Sequence, residues 1–471
     1  MNPFDAASPL DARYFFAEPE FFKKLRPFVS ESSQIKYLSR VEAALVAVLA
    51  DAGLCSQKIA QEVADACDEI EPEEVYEEEA RIQHNIRALV NCIRRRISEE
   101  AQPFVHLFAT SNDMTDTARA LCLKEVTHAA VLPFLADLTT KLIRLARANA
   151  SVGQIGRTHG RHAVPITFGF AIALYVSRLG QRIEAIKSAA DNLRGKFSGA
   201  VGAYNALTLY RPQDPQELEA ALMRKLGLKP PEISSQIVQP EYVADYVYAL
   251  ASCWGVLANL ADDFRHLLRS EIRELRARSE GDPNSPIVGS STMPHKINPK
   301  DFENVKSLWK AYMPRLTTVL MDQISEHQRD LTNSASSRFV TEFVTGFCYT
   351  VYRASSAVDG VEPDRERMRA ILNEGKDPIV AEPLYILLAL AGHPDAHEKA
   401  RVLARQARVE NKPLVEIVRQ DRSLDPYREK MTPTNRKILE DPALYTGAAE
   451  TRTFAICDLW EKKLADLLRQ P

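Results

Sequence analysis

The sequence predicts an all-α protein, a three-region subunit organised around a central bundle of long helices. Two observations carry that expectation. Apolar residues recur every three or four positions over long stretches nearly free of proline and glycine, which is the spacing of a helix face. Several of these stretches are too long and too apolar to stand alone, so they must pack side by side. At 471 residues the chain also exceeds one ordinary core, and two or three regions follow.

The elements follow in chain order. Residues 35–52 (IKYLSRVEAALVAVLADA) set Leu38, Val41, Leu45, Val48 and Leu49 on one side, with Gly53 as a C-terminal stop. A second helix is predicted from Phe168 to Phe197. A third, of roughly thirty residues, is predicted from Glu241 to Leu275, where Val243, Val247, Leu250, Trp254, Leu257 and Leu260 keep helical register. Another covers 302–324 and contains Pro314, which should kink it; the last long one runs from Arg338 to Val358.

From Asp359-Gly-Val-Glu-Pro onward the helices become shorter and more charged, interrupted by Pro378, Pro383, Pro394 and Pro413. The division is therefore 1–110, 111–360 and 361–471. The acidic run EPEEVYEEEAR (71–81) reads as a solvated face. Long helices apolar on more than one side would expose large patches in a monomer, so an oligomer is expected.

Composition excludes several classes. A net charge of −3 with 26% charged residues gives no basic field for nucleic acid. No apolar run of about 18 residues offers a membrane span, and MNPFDAASPLDARYFF lacks the order of a signal peptide, so a cytoplasmic address is expected. The seven cysteines (55, 67, 92, 122, 253, 348 and 457) are odd in number and form no CxxC pair, which argues against disulfides or a zinc cluster. Phosphate-loop, dinucleotide and nucleophile-elbow motifs are absent.

Four polar stretches could carry chemistry. GSSTMPHKINP (289–299) sets Ser290, Ser291, Lys296 and Asn298 between two helices: hydroxyls for proton transfer, a turn whose amides could hold an oxyanion, and a cation with an amide for a carboxylate. GRTHGRHAVP (156–165) offers His159 and His162, suited to proton transfer near neutrality and lacking the companions of a metal site. HQRDLTNSASSR (327–338) holds Arg329, Ser334 and Arg338, a composition suited to phosphate or carboxylate. ATSNDMTDTARAL (109–121) leads into a helix whose first amides could bind an anion. The competing reading for each is structural: interhelical linkers, helix caps and satisfied histidines.

Taken together, GSSTMPHKINP resembles the signature loop of the fumarase/aspartase superfamily. SPLDARY (8–14), ATSNDMTDTA, GRTHGRHAVPITFG, SSQIVQPEY and QRDLTNSASSR, in that order, resemble its adenylosuccinate lyase branch. That resemblance implies a fumarate-releasing β-elimination with neither metal nor organic cofactor. It also implies a homotetramer of all-helical subunits whose active sites draw on several chains. It makes Ser290 the base, His159 the general acid, Glu303 the carboxylate that orients that acid, and His84 a second active-site histidine, with Lys296 catalytic. Arg13 and Tyr14 would bind the nucleotide phosphate. Thr110, Ser111, Gln236, Ser291, Asn298, Arg329, Ser334 and Arg338 would contact substrate.

Gln83 and Asn85 stand where many members carry arginine and aspartate around the histidine, and Gln239-Pro240-Glu241-Tyr242 replaces a basic stretch; both bear on fine specificity. A sibling lyase acting on argininosuccinate, a carboxymuconate cycloisomerase, or a noncatalytic scaffold of the same fold are the alternatives.

Overall fold

The structure, a computed structural model, describes residues 5–281, 286, 288–293 and 295–469. The N-terminal part contains α1 (Arg13–Ala17), α2 (Pro19–Val29), α3 (Glu31–Asp51), α4 (Gln57–Asp68), α5 (Pro72–Ile82) and α6 (Asn85–Arg94). α3 starts where Ser30 Oγ accepts from the Ser33 amide at 3.2 Å, satisfying one of the helix's free donors. It ends at Asp51, as the periodicity and Gly53 predict.

The acidic run is less solvated than expected. Glu78 of α5 is buried and accepts from Arg81 (2.6 Å), Asn91 (2.7 Å) and Arg95, locking α5 to α6.

The central part comprises α7 (Ser111–Val126), α8 (Leu132–Ala148), a hairpin of β1 (Gly153–Thr158) and β2 (Arg161–Thr167), α9 (Phe168–Asp191), α10 (Asn205–Thr208), α11 (Gln216–Lys225), α12 (Glu241–Leu267), β3 (Leu275–Ala277), α13 (Lys300–Met321), α14 (Val340–Asp359) and β4 (Val361–Pro363). α8, α9, α12, α13 and α14 pack together as the predicted bundle. Fully buried Trp254 marks its middle, stacked on Tyr312 at 5.1 Å and edge-on to Phe343 and Phe347. α12 is long and apolar enough to cross a membrane by length and composition, yet most of its apolar stretch is buried inside the bundle.

Two long helices stop sooner than periodicity suggests. α9 ends at Asp191 because residues 193–198 leave the helix for buried hydrogen bonds with α7. α12 ends at Leu267: Arg273 adopts φ +52°, the Glu274 carbonyl accepts from the Asp364 amide, and β3 pairs antiparallel with β4. The chain entering the 289–299 loop therefore comes from a strand and a short 3₁₀ turn (Arg278–Gly281), not from a helix. α13 continues through Pro314.

The C-terminal part holds α15 (Arg365–Ile379), α16 (Ala381–Leu390), α17 (Ala396–Glu410), α18 (Leu414–Gln420), α19 (Asp425–Arg428), α20 (Pro433–Glu440) and α21 (Ala449–Arg469). A separate apolar cluster including Val380, Leu388, Leu403, Leu414 and Leu424 knits α16–α18 together. α21 instead returns to α8 and α9. There the Trp460 ring lies on Gly180 so closely that a Cβ would stand 2.3 Å from it, so only glycine permits this helix contact.

Candidate active site

The 289–299 loop is cross-tied. A Cβ on Gly289 would stand 2.2 Å from the Lys296 carbonyl oxygen, so the two ends of the loop meet at a position that only glycine can fill. Asn298 Nδ2 donates to the Gly289 carbonyl at 3.0 Å, and the Lys296 amide donates to the Met293 carbonyl at 2.9 Å. Ser290 Oγ accepts from the amides of Met293 (3.1 Å) and Thr292 (3.4 Å). Amide donors aimed at a hydroxyl oxygen favour its ionised form, which a serine acting as base requires. The turn amides thus point at Ser290 itself. Ser291 and Lys296 are exposed; Pro294 lies outside the described residues.

His159 stands at the tip of the β1–β2 hairpin, which the all-helical expectation did not include. His159 and Gly160 carry φ of +54° and +71°, the two left-handed residues of a tight hairpin turn between paired Thr158 and Arg161. The base of the hairpin is fixed by fully buried Glu274, which accepts from Gln154 Nε2 at 2.6 Å and from both Arg157 Nη atoms at 2.7 and 3.1 Å. The exposed ring of His159 is thereby carried on a rigid stalk.

Thr110, Ser111, Gln236 and Arg329 are brought to one place. Thr110 caps α7 in a reciprocal box with Asp113, whose Oδ2 accepts the Thr110 amide at 2.8 Å. Asn112 Nδ2 donates to Gln236 Oε1 at 3.2 Å, and the Gln236 amide donates to the Gln328 carbonyl beside Arg329. Asp116 Oδ2 accepts the Val238 amide at 3.0 Å; burial pushes the Asp116 carboxyl up, opposed by the charges of Arg119, Lys196 and Arg329.

The remaining candidates are dispersed within one chain. Arg13 is exposed on α1, while Tyr14 packs on Tyr349 of α14 at 4.7 Å. Gln83, with φ +59°, His84 and Asn85 form the turn between α5 and α6: Gln83 Nε2 donates to the Ala80 carbonyl, His84 Nδ1 accepts the Arg87 amide at 3.2 Å and Asn85 Oδ1 accepts the Ile86 amide at 2.8 Å. Arg338 is exposed near Tyr76 of α5, whose hydroxyl burial and then Glu31 push up against the opposing charge of Arg338; Ser334 is exposed.

Glu303, in the first turn of α13, faces Arg265 at 3.8 Å. Among the described residues no hydrogen bond, ion pair or ring contact joins His159, Ser290, His84 or Glu303 to one another.

Two features went unnoticed in the sequence. His106, four residues before Thr110, has φ +62° and bonds Glu42 through Nδ1 at 2.6 Å, with Glu42 fully buried. Lys196 is fully buried against Asp113. The run VHLFATSND could have drawn attention to the first; a lone lysine 83 residues from its partner gives no local signal for the second.

The bundle of long helices is a fold this chain shares with a solved fumarate lyase from Mesorhizobium sp. BNC1, with a TM-score of 0.78 at 23% identity over 93% of this chain and 97% of that one. A solved 3-carboxy-cis,cis-muconate lactonizing enzyme from Pseudomonas putida has the same fold, with a TM-score of 0.78 at 24% identity over 94% of this chain and 99% of that one. Sequence comparison narrows this further. A family model described as "Lyase" matches residues 17–310, and one described as "Adenylosuccinate lyase C-terminal" matches 325–435. The adenylosuccinate lyase of Pyrococcus abyssi is 34% identical over 463 residues, covering 95% of this chain and 99% of that protein. That of Archaeoglobus fulgidus is also 34% identical, over 94% and 96%. The chain belongs to the adenylosuccinate lyase family.

Proposed function

We propose that this protein cleaves adenylosuccinate to AMP and fumarate, and releases fumarate likewise from succinyl-aminoimidazole-carboxamide ribotide, in purine nucleotide biosynthesis. The observation that carries the reading is the 289–299 loop. Two backbone amides converge on Ser290 Oγ, Asn298 bonds the carbonyl of the preceding Gly289, and the backbone of Lys296 meets that same glycine.

In this reading Ser290 removes the proton beside a succinyl carboxylate, with Ser291 assisting. Lys296 and Asn298 hold the carboxylate through the doubly charged carbanion. His159 protonates the departing nitrogen, Glu303 orients it, and His84 completes the proton-transfer set. Arg13 and Tyr14 take the phosphate; Gln83, Asn85, Thr110, Ser111, Gln236, Arg329, Ser334 and Arg338 hold the rest of the substrate. No metal or organic cofactor enters the chemistry. The reading includes a cytoplasmic homotetramer of subunits with three regions, 1–110, 111–360 and 361–471; because the proposed groups are dispersed within one chain, its sites are shared, built from residues of the first two regions of several subunits.

The test is the ultraviolet absorbance of adenylosuccinate mixed with purified protein, beside argininosuccinate and a Ser290→Ala control. Turnover of adenylosuccinate that falls at least about a hundredfold in Ser290→Ala is expected. Turnover of argininosuccinate instead would move the function to a sibling lyase and make Gln83 and Asn85 the first suspects. Full activity in Ser290→Ala would remove Ser290 as the base.

A further inference from the structure

Beneath the Thr110–Ser111 segment lies an ion pair with no access to water. Lys196 and Asp113 are both fully buried, and Asp113 gathers three donors on one oxygen: the Lys196 ammonium and the amides of Ser198 (3.1 Å) and Gly199 (3.4 Å). Its other oxygen holds the Thr110 amide. Thr117 Oγ1 takes the Lys196 amide (2.9 Å) and donates to the Lys196 carbonyl (3.1 Å), so the lysine backbone is fixed as well as its side chain.

The network continues outward. Ser198 Oγ and Ser234 Oγ share a hydrogen bond of 2.7 Å, and Gly202, at φ +79°, lies so near the Ser234 carbonyl oxygen that a Cβ would stand 2.1 Å from it. Ser234 is two residues from Gln236, which bonds back to Asn112 on α7. Asn112, Asp113, Ser198, Ser234 and Gln236 thus form a closed ring joining two segments 124 residues apart in sequence.

A buried ion pair is a poor source of stability, since apolar residues of similar volume often serve as well; what it supplies is directional fixation. We propose that Lys196 and Asp113 are positioning residues that set the spacing between the Thr110–Ser111 turn and the Gln236 segment, and through that spacing the affinity for substrate. The inference rests on the reading of Thr110, Ser111 and Gln236 as substrate contacts. Neither Lys196 nor Asp113 touches the substrate itself.

Lys196→Met keeps the length and removes the charge, and Ser234→Ala cuts the outer link without leaving a buried charge. Both are compared with wild type for adenylosuccinate kinetics, thermal midpoint, and amide hydrogen exchange at 110–113 and 234–238. Expected is a KM raised about tenfold in Lys196→Met and about threefold in Ser234→Ala, with kcat of the latter within about twofold. Exchange should quicken in both segments.

A merely structural role predicts otherwise: a lowered midpoint and a smaller active fraction, with KM unchanged, and that outcome overturns the proposal. Should Lys196→Met fail to fold, Ser234→Ala decides alone. The exchange measurement needs no substrate, so it separates two failures. Wild type inert toward adenylosuccinate removes the functional reading; unaltered exchange at 234–238 in the variants removes the coupling.

Discussion

At the residue scale the loop and its neighbours show what side-chain chemistry can be read in advance. The roles available to Ser290, Lys296 and Asn298 were legible because small residues, prolines and one glycine make a stretch unsuited to helix. The direction of the Ser290 oxygen was not, because it depends on the chain closing on itself at Gly289. His106 escaped for a related reason: its partner Glu42 lies 64 residues away on α3. That pair yields a pH prediction. Burial by itself lowers the His106 pKa, but the hydrogen bond and charge of Glu42 outweigh it and leave the imidazole above its ordinary 6.5. A histidine raised on folding stabilises fully below its unfolded value and loses that contribution as pH climbs through the folded one. Urea midpoints should therefore show wild type exceeding Glu42→Gln by a margin that shrinks as pH rises from about 6 to about 9. Parallel curves for the two proteins would mean that His106 is not linked to folding through Glu42.

At the element scale, helix existence was legible and helix ends were not. Periodicity carried α3 and α14 close to their observed positions and fixed the start of α12, since nothing but a helix buries residues at that spacing. The overruns at α9 and α12 arise where tertiary partners, Asp113 for one and β4 for the other, draw the chain out of the helix; Gly195 is the one local mark of the first, and no glycine or proline announces the second. The hairpin bearing His159 was missed because a seven-residue strand beside a long helix leaves a weak signal, its His-Gly turn aside. The hairpin depends on Glu274. Removing that carboxylate leaves Arg157 and Gln154 without their shared acceptor in a buried place, so Glu274→Ala should cost about 3–5 kcal/mol of stability. The Arg157→Met/Glu274→Met double variant should regain much of the stability but not kcat, since the stalk under His159 loses its directional bonds. Chemical denaturation and steady-state rates on both variants check this; a double variant with full kcat would show that the hairpin needs no such anchor.

At the scale of the whole molecule, the outer faces of the long helices carry the argument. Leu174 of α9 is 57% exposed and Tyr248 of α12 is 59% exposed, on the helices that otherwise hold the bundle's core. At the end of α13 and just beyond it, Met321 and Ile324 are more exposed still. Apolar surface of this kind along the bundle fits a self-complementary interface. Geometry adds a second reason, because within one chain His159, Ser290 and His84 make no contact with one another. In the proposed reading, a site that uses all three draws them from more than one copy. Light scattering of the purified protein should give four times the chain mass. Leu174→Glu combined with Tyr248→Glu places charges where the apolar faces would meet, so the assembly should fall to smaller species. Activity should fall with it, at least about tenfold, although neither residue has a role in the proposed chemistry. The decisive comparison is rate against assembly state across a protein dilution series. If a fully dissociated double variant turns over adenylosuccinate at the wild-type rate, one chain suffices, and the dispersed histidines must converge by motion within the subunit instead.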